Sequence, residues 1–167
     1  MIIRKAKLSD LKNIMNMYAS CVKGMIDSGI DQWDTTYPNY SIIKEDINAK
    51  TYFIAIKKNK LIGGINIDSN QDKTYLTINW EDTSNLFLVV HRLAVRKEFW
   101  GEGIGKSLMI YAEKLVINKN LKSIRLDTYS GNQKAIKFYN LLGYRKLGEI
   151  DLKPNKNKYY CFEKKII

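Results

Sequence analysis

The sequence is short of the residues that build metal centres and cross-links. A single histidine, His91, and two widely separated cysteines, Cys21 and Cys161, with no C-x-x-C pair, cannot assemble a zinc-type site. No metal is expected, and the thiols are expected free in a reducing compartment. Nowhere does an apolar run reach membrane-spanning length, which excludes a spanning helix. The opening MIIRKAKLSD shows no apolar run of the signal-peptide kind. A soluble, cytoplasmic protein without a membrane partner is the expectation. Acids are scarce: 17 Asp and Glu stand against 28 Lys and Arg, a net charge of +11. That balance suits a polyanion, whether nucleic acid or a phosphorylated cofactor. It also has a compositional reading in a chain rich in Lys, Asn and Ile. The lysines are scattered, and no zinc-finger spacing or RNA-binding signature accompanies them, so nucleic acid is not the expected partner.

What is present suffices for a core. Hydrophobic residues make up 45% of 167, which argues against disorder and fits one domain spanning residues 1–167. The organising stretch is Leu86 to Leu115. LFLVVHRLAV is β-branched, apolar and nearly uncharged, as a buried central strand is. Gly101, Gly103 and Gly105 follow. Beyond them Ile104, Leu108, Tyr111, Ala112 and Leu115 recur at helical spacing. Glycines between a strand end and a helix start let backbone N–H groups approach a ligand. The helix N-terminus adds partial positive charge, so the pattern predicts a phosphate cradle; a tight turn without a ligand is the alternative.

The remaining elements follow from periodicity and punctuation. Met1 to Lys5 reads as a strand. Ser9 reads as the cap of a helix through Leu11, Ile14, Met15, Tyr18, Cys21, Val22 and Met25, ended by Gly29. The segment IDQWDTTYPNY is aperiodic. Ser41, with Glu45, reads as the cap of a short helix whose Ile42, Ile43 and Ile47 face inward. Thr51–Ile56 and Leu61–Ile67 form a hairpin about Lys58-Asn59-Lys60. Residues 68–84 are polar, with Tyr75, Ile78 and Trp80 marking a short element or an ordered loop. After the organising helix, Ser123–Thr128 is a strand at βαβ spacing, hence parallel to the first with a right-handed crossover. A helix from Ser130-Gly131-Asn132 to Leu142 stops at Gly143. Tyr144–Ile150 and Lys158–Glu163 close the chain as a hairpin around Lys153-Pro154-Asn155. No repeat, low-complexity tract or linker is visible.

Two motifs in this order carry a family resemblance. LAVRKEFWGEGIGKSL resembles the acetyl-CoA motif of the GNAT superfamily of N-acetyltransferases, with Gly103 and Gly105 at its two small positions. The family's Arg or Gln is replaced by Trp100, so backbone amides, helped by Lys106 or Ser107, take more of the pyrophosphate contact. NQKAIKFYNLLGY resembles the family's second motif at Asn132, Ala135, Phe138, Tyr139, Leu142, Gly143 and Tyr144. The resemblance covers the whole chain. It implies an α/β GNAT fold: a mixed central sheet of six or seven strands with a splayed parallel pair, flanked by about four helices. It also implies acetyl-CoA as cosubstrate, bound by the main chain of Leu93, Ala94 and Val95, by Gly101, Glu102, Gly103, Ile104, Gly105, Lys106 and Ser107, and by Asn132, Ala135 and Phe138.

Aminolysis of a thioester needs a neutral amine, a stabilised oxyanion and a proton for the leaving thiolate. Asn132 and Tyr139 share one helix face with small Ala135 between them. The resemblance gives Tyr139 the general-acid role; ordinary thiol and phenol pKa values near ~8.5 and ~10 make that transfer feasible. The competing reading of Tyr139 is a buried aromatic with one hydrogen bond. His91, on a strand that alternates with Val90 and Arg92, is a candidate base beside the family's catalytic strand position; a satisfied structural histidine is the alternative. Glu81 and Asp82 are rivals acting through water, with a solvated turn as their plain reading. The loop from Asp31 to Tyr40 falls where the family builds its acceptor pocket. Trp33, Tyr37 and Trp80 would hold an amine by cation–π contact, with Asp31 or Asp34 adding charge; surface packing is the alternative.

The expected activity is acetyl transfer from acetyl-CoA to a primary amine by direct attack in a ternary complex. The expected acceptor is a small molecule and the expected state a monomer or homodimer. The alternatives are acetylation of a protein N-terminus or lysine, and a catalytically idle acyl-CoA sensor. A dinucleotide oxidoreductase is disfavoured, because Lys106 stands where that fingerprint needs glycine and a hairpin precedes the strand.

Overall fold

A computed structural model describes residues 1–153 and 156–166. Seven strands, β1 (Ile2–Lys5), β2 (Tyr52–Lys57), β3 (Lys60–Asp68), β4 (Phe87–Val95), β5 (Ser123–Tyr129), β6 (Arg145–Ile150) and β7 (Tyr159–Lys165), form one mixed sheet in the order β1-β2-β3-β4-β5-β7-β6. Among the described residues four α-helices accompany them: α1 (Leu11–Asp27), α2 (Tyr40–Asn48), α3 (Ile104–Asn118) and α4 (Gln133–Leu141). The expected parallel pair is β4 and β5, in register from Phe87↔Ser123 to Val90↔Leu126. That register ends there, although β4 runs on to Val95 and β5 to Tyr129. Among the described residues no helix is long and apolar enough to cross a membrane.

By contact density the chain divides into two compact units: Met1–Ile67 with His91–Tyr111, and Asp68–Val90 with the chain from Ala112 onward. In the first, α1 buries Leu11, Ile14, Met17, Tyr18, Cys21, Val22 and Met25 against Ile43 and Ile47 of α2 and Tyr52 and Ile54 of β2. Gly29, at φ +73, ends α1 as expected. Lys58 and Asn59, both left-handed, make the two-residue hairpin turn between β2 and β3. In the second unit, Tyr75, Val89, Tyr129, Ile150, Tyr159 and Cys161 form a core. β7 lies between β5 and β6, antiparallel to both. The turn expected at Pro154-Asn155 lies outside the described residues.

Two caps differ from expectation. Ser9 sits inside a short 3-10 turn, Leu8–Asp10. Asp10 organises that entry instead: it takes the Lys7 N–H at 2.8 Å and a two-pronged contact from Arg4 at 2.8 and 2.9 Å. Ser41 lies one residue inside α2, where it meets Glu45 at 3.4 Å. Asn39, in extended backbone, is the cap, and its Oδ1 accepts the Ile42 N–H at 3.0 Å. Extended backbone one residue before the helix aims a side-chain oxygen at the free amides; a serine already in the helix cannot. The polar stretch before β4 holds a 3-10 turn, Lys73–Thr77, with Tyr75 buried.

Candidate functional site

The glycine turn belongs to the first unit. After β4, Arg96 anchors the chain through its N–H to Ile62 O at 2.8 Å and its Nε to Leu61 O at 2.7 Å. A 3-10 turn, Lys97–Phe99, leads to Trp100 and then to Gly101 and Gly103, at φ +85 and +77. A Cβ at either glycine would meet nothing within 4 Å. These glycines are needed for their left-handed backbone, and the space beside them is open. Gly105 has no positive φ; it is the second residue of α3. The first helical bond here runs from Ser107 N–H to Gly103 O at 3.0 Å, so the amides of Ile104, Gly105 and Lys106 precede it. The Ser107 hydroxyl turns back to Gly103 O at 3.2 Å. Glu102 points at Lys57, 2.8 Å away, which offsets a carboxylate in an otherwise anion-attracting turn.

Trp100, at the position where the resemblance calls for Arg or Gln, packs on the core of this unit and donates its indole N–H to Val95 O. The Val95 main chain also hydrogen-bonds the Cys21 sulfur. Burial pushes the Cys21 thiol up to about 11, against that hydrogen bond. Val95, read from sequence as a main-chain ligand for pantetheine, therefore has its peptide groups engaged inside the unit. Leu93 is half-buried and Ala94 buried. Gly63 of β3 lies under them: a Cβ there would come within 3.2 Å of Ala94 O, Ile104 and Leu108.

His91 is half-buried on β4. The strict alternation expected around it fails one residue later, because Arg92 adopts φ +52. A left-handed residue breaks the pleat, at a cost of roughly 1–2 kcal/mol. Nothing in the sequence marked Arg92. Of the loop residues, Trp33 is 8% exposed, with its ring edge-on to Tyr18 and Tyr37. It serves packing within the unit. Asp31 is exposed, and Tyr37 is half-buried, its hydroxyl 3.5 Å from Arg92 Nη1. Asp34 takes the Thr36 N–H and hydroxyl at 2.7 and 2.6 Å. Beside it a cleft of about 320 Å³ opens, walled by Met15, Val22, Ile26 and Pro38, with Lys23, Asp27 and Asp34 also lining it.

The second unit carries the other motif. Asn132 caps α4, its Oδ1 accepting the Ala135 N–H at 3.0 Å. Ala135 and Phe138 are half-buried. Tyr139 is 7% exposed and sits among the rings of Phe138, Tyr144 and Phe162. Burial, and then the charge of Asp127, hold its phenol well above the ordinary tyrosine range. The phenol thus stays protonated, and full transfer of its proton to a thiolate is harder than unperturbed values imply.

Glu81 and Asp82 are held by a buried ion pair that sequence reasoning did not anticipate. Glu163 pairs with Arg125 at 3.2 Å, both side chains almost fully enclosed, and its Oε2 takes the N–H groups of Glu81 and Asp82 at 2.7 and 3.1 Å. The Glu81 carboxylate pairs with Arg145 at 2.5 Å. Asp82 is buried and accepts from Ser84 and Ser123, so it is not the solvated turn residue expected. Burial would raise its carboxyl; those hydrogen bonds outweigh it and hold the group below the usual range. Trp80 has the Arg125 guanidinium 4.5 Å from its ring centre and gives its N–H to Tyr75 O. One of its faces already carries a cation.

Comparison with known proteins gives a consistent picture. The profile described as the acetyltransferase (GNAT) family matches residues 12–144. An uncharacterized N-acetyltransferase of Bacillus subtilis, YesJ, is 24% identical over 163 residues, covering 96% of this chain and 88% of the relative. A GNAT-family acetyltransferase structure from Streptococcus agalactiae superposes with a TM-score of 0.85 at 23% identity, covering 98% of this chain and 94% of that one. The PaiA N-acetyltransferase of Thermoplasma acidophilum, solved with coenzyme A, superposes at 0.71 with 20% identity and covers 98% of each chain. At these identities the two structures speak for the fold.

Proposed function

The chain belongs to the acetyltransferase (GNAT) family, an acyltransferase by membership, and we propose that it moves the acetyl group of acetyl-CoA to the primary amine of a small molecule. The observation that carries the reading is the glycine turn. Gly101 and Gly103 hold left-handed backbone with open space beside them, ahead of three amides that precede the first bond of α3. Such a turn fits a diphosphate. Gly101 to Ser107 supply these contacts, through backbone more than through Ser107, whose hydroxyl is turned inward. Leu93 and Ala94 offer main-chain groups to the pantetheine arm, and Val95 acts by fixing their end of the strand.

In the reaction the amine nitrogen bonds to the acetyl carbon and the carbon–sulfur bond breaks. The amine loses a proton and the thiolate gains one. Tyr139 donates a hydrogen bond to the developing thiolate and gives up its proton only as another arrives, because burial and Asp127 make a phenolate costly. His91, half-buried on β4, is the base in this reading, with Glu81 and Asp82 as rivals acting through water. The Glu81 carboxylate pairs with Arg145, and Asp82 accepts from Ser84 and Ser123. For the acceptor, we assign Asp31, Tyr37 and Trp80 to the ammonium, Trp80 with one face already on Arg125, while Trp33 contributes through packing. The test is a panel of small amines with acetyl-CoA and detection of released thiol. Acetylated product from at least one small amine is expected. Tight acetyl-CoA binding without turnover, or turnover only on peptide N-termini or lysines, would overturn the small-amine reading.

A further inference from the structure

Arg92 and its partner on α2 serve no step described so far. Arg92 holds φ +52 inside a strand, backbone that glycine takes freely and a side-chain-bearing residue does not. Its guanidinium grips Asp46: Nη2 lies 2.7 Å from both carboxylate oxygens and Nε 3.0 Å from Oδ2. Exposed pairs of this kind contribute little, but these side chains are only 15% and 13% exposed, and two guanidinium nitrogens share the carboxylate. The Arg92 carbonyl receives the Tyr18 hydroxyl at 2.7 Å, and Tyr18 in turn receives that of Tyr52 at 2.8 Å. Three residues on, Val95 is tied to Trp100 and Cys21. Leu93 and Ala94 are thus strung between two fixed points.

We infer that Asp46 is a positioning residue: by holding Arg92 in its left-handed conformation it sets the direction of the Leu93–Ala94 main chain that receives the pantetheine arm. This rests on the acetyl-CoA reading above. Asp46 itself touches no reacting atom. Tyr37, 3.5 Å from the same guanidinium, ties the acceptor loop to the same anchor.

The experiment is calorimetric titration of acetyl-CoA into the wild type and into Asp46→Ala, Asp46→Asn, Arg92→Gly, Arg92→Ala and the doubles Asp46→Ala/Arg92→Gly and Asp46→Ala/Arg92→Ala, each checked for folding by thermal melting. Asp46→Ala is expected to weaken acetyl-CoA about tenfold, the scale of releasing one strained residue, and to raise KM by a similar factor with little change in kcat. Glycine needs no clamp to hold φ +52, so Arg92→Gly and its double variant should bind within about twofold of wild type, while the alanine counterparts should not. Should Asp46→Ala fail to fold, Asp46→Asn and the Arg92→Gly against Arg92→Ala contrast read the same effect. Unchanged affinity in folded Asp46→Ala, or equal affinity of Arg92→Gly and Arg92→Ala, overturns the inference. A wild type that binds no acetyl-CoA sinks the acetyl-CoA reading itself and takes the inference with it.

Discussion

The indole N–H of Trp100 donates to the carbonyl of Val95 at 2.8 Å. That bond explains how this chain tolerates tryptophan where its family has Arg or Gln: the side chain turns inward, over Gly24, whose added Cβ would stand 2.8 Å from the ring. Trp100→Arg should therefore restore the family's residue type without gaining acetyl-CoA affinity. It should lose about 2–4 kcal/mol of stability, as the packing of a half-buried indole is removed and the Val95 carbonyl loses its donor. Denaturant unfolding and calorimetry measure the two quantities. A gain in affinity at unchanged stability would show that Trp100 plays no structural part.

Gly103 separates backbone strain from ligand contact. At φ +77 with nothing within 4 Å of its Cβ, alanine meets no protein atom and costs about 1 kcal/mol from conformation alone. Acetyl-CoA affinity should fall by more than that, since the methyl enters the space beside the amides. Gly103→Val should abolish binding. Unchanged calorimetric affinity in a folded Gly103→Val variant would falsify the placement of the diphosphate on this turn.

Legibility in the sequence tracked distance along the chain. The glycine turn and the Asn132-to-Tyr144 motif could be read because turn and helix chemistry is written at fixed short spacings. β4 and β5 could be paired because a crossover helix separates them. The clamp of Arg92 by Asp46 and the pair of Arg125 with Glu163 join residues far apart, so no local pattern announces them. Nor does any pattern announce a left-handed arginine in an apolar strand. The packing of Trp33 on Tyr18 and the Arg125 guanidinium over Trp80 are likewise contacts that the fold brings together, so no local pattern announces them.

Alkaline pH should expose a shared property of five tyrosines. Burial first, in every case, raises Tyr18, Tyr52, Tyr75, Tyr139 and Tyr144 above the ordinary phenol range. The folded values exceed the unfolded one near ~10, so the stability they contribute is fully present below that pH. It is lost as pH climbs above ~10, because the unfolded chain ionises first. The slope reaches about 1.4 kcal/mol per pH unit for each tyrosine. Denaturant midpoints between pH 8 and 11 should be flat and then fall. In absorbance titration these phenols should ionise together with unfolding. Ionisation of all eleven tyrosines near pH 10 in a still-folded protein would contradict their burial.

Tyr139 gives the sharpest test of mechanism. Its ring packs on Phe138, Tyr144 and Phe162, contacts that Tyr139→Phe keeps, so fold and acetyl-CoA affinity should barely change. What the variant removes is a hydroxyl that burial and Asp127 keep protonated. A well-placed general acid is worth roughly 10²–10⁴-fold in rate. Two effects place this one at the lower end. A raised phenol is a reluctant acid, so hydrogen bonding more than proton transfer is lost. Thiolate is also a tolerable leaving group that water can protonate. A fall in kcat of about a hundredfold with KM for acetyl-CoA nearly constant is expected from steady-state kinetics on an amine found in the screen. The same phenol predicts that the alkaline limb of the wild-type pH–rate profile is not set by Tyr139, because a group held above its ordinary range does not titrate while the protein remains folded below pH ~10. Turnover within about twofold of wild type in Tyr139→Phe, with chemistry shown to limit the rate, would remove this hydroxyl from the reaction and leave the thiolate to water.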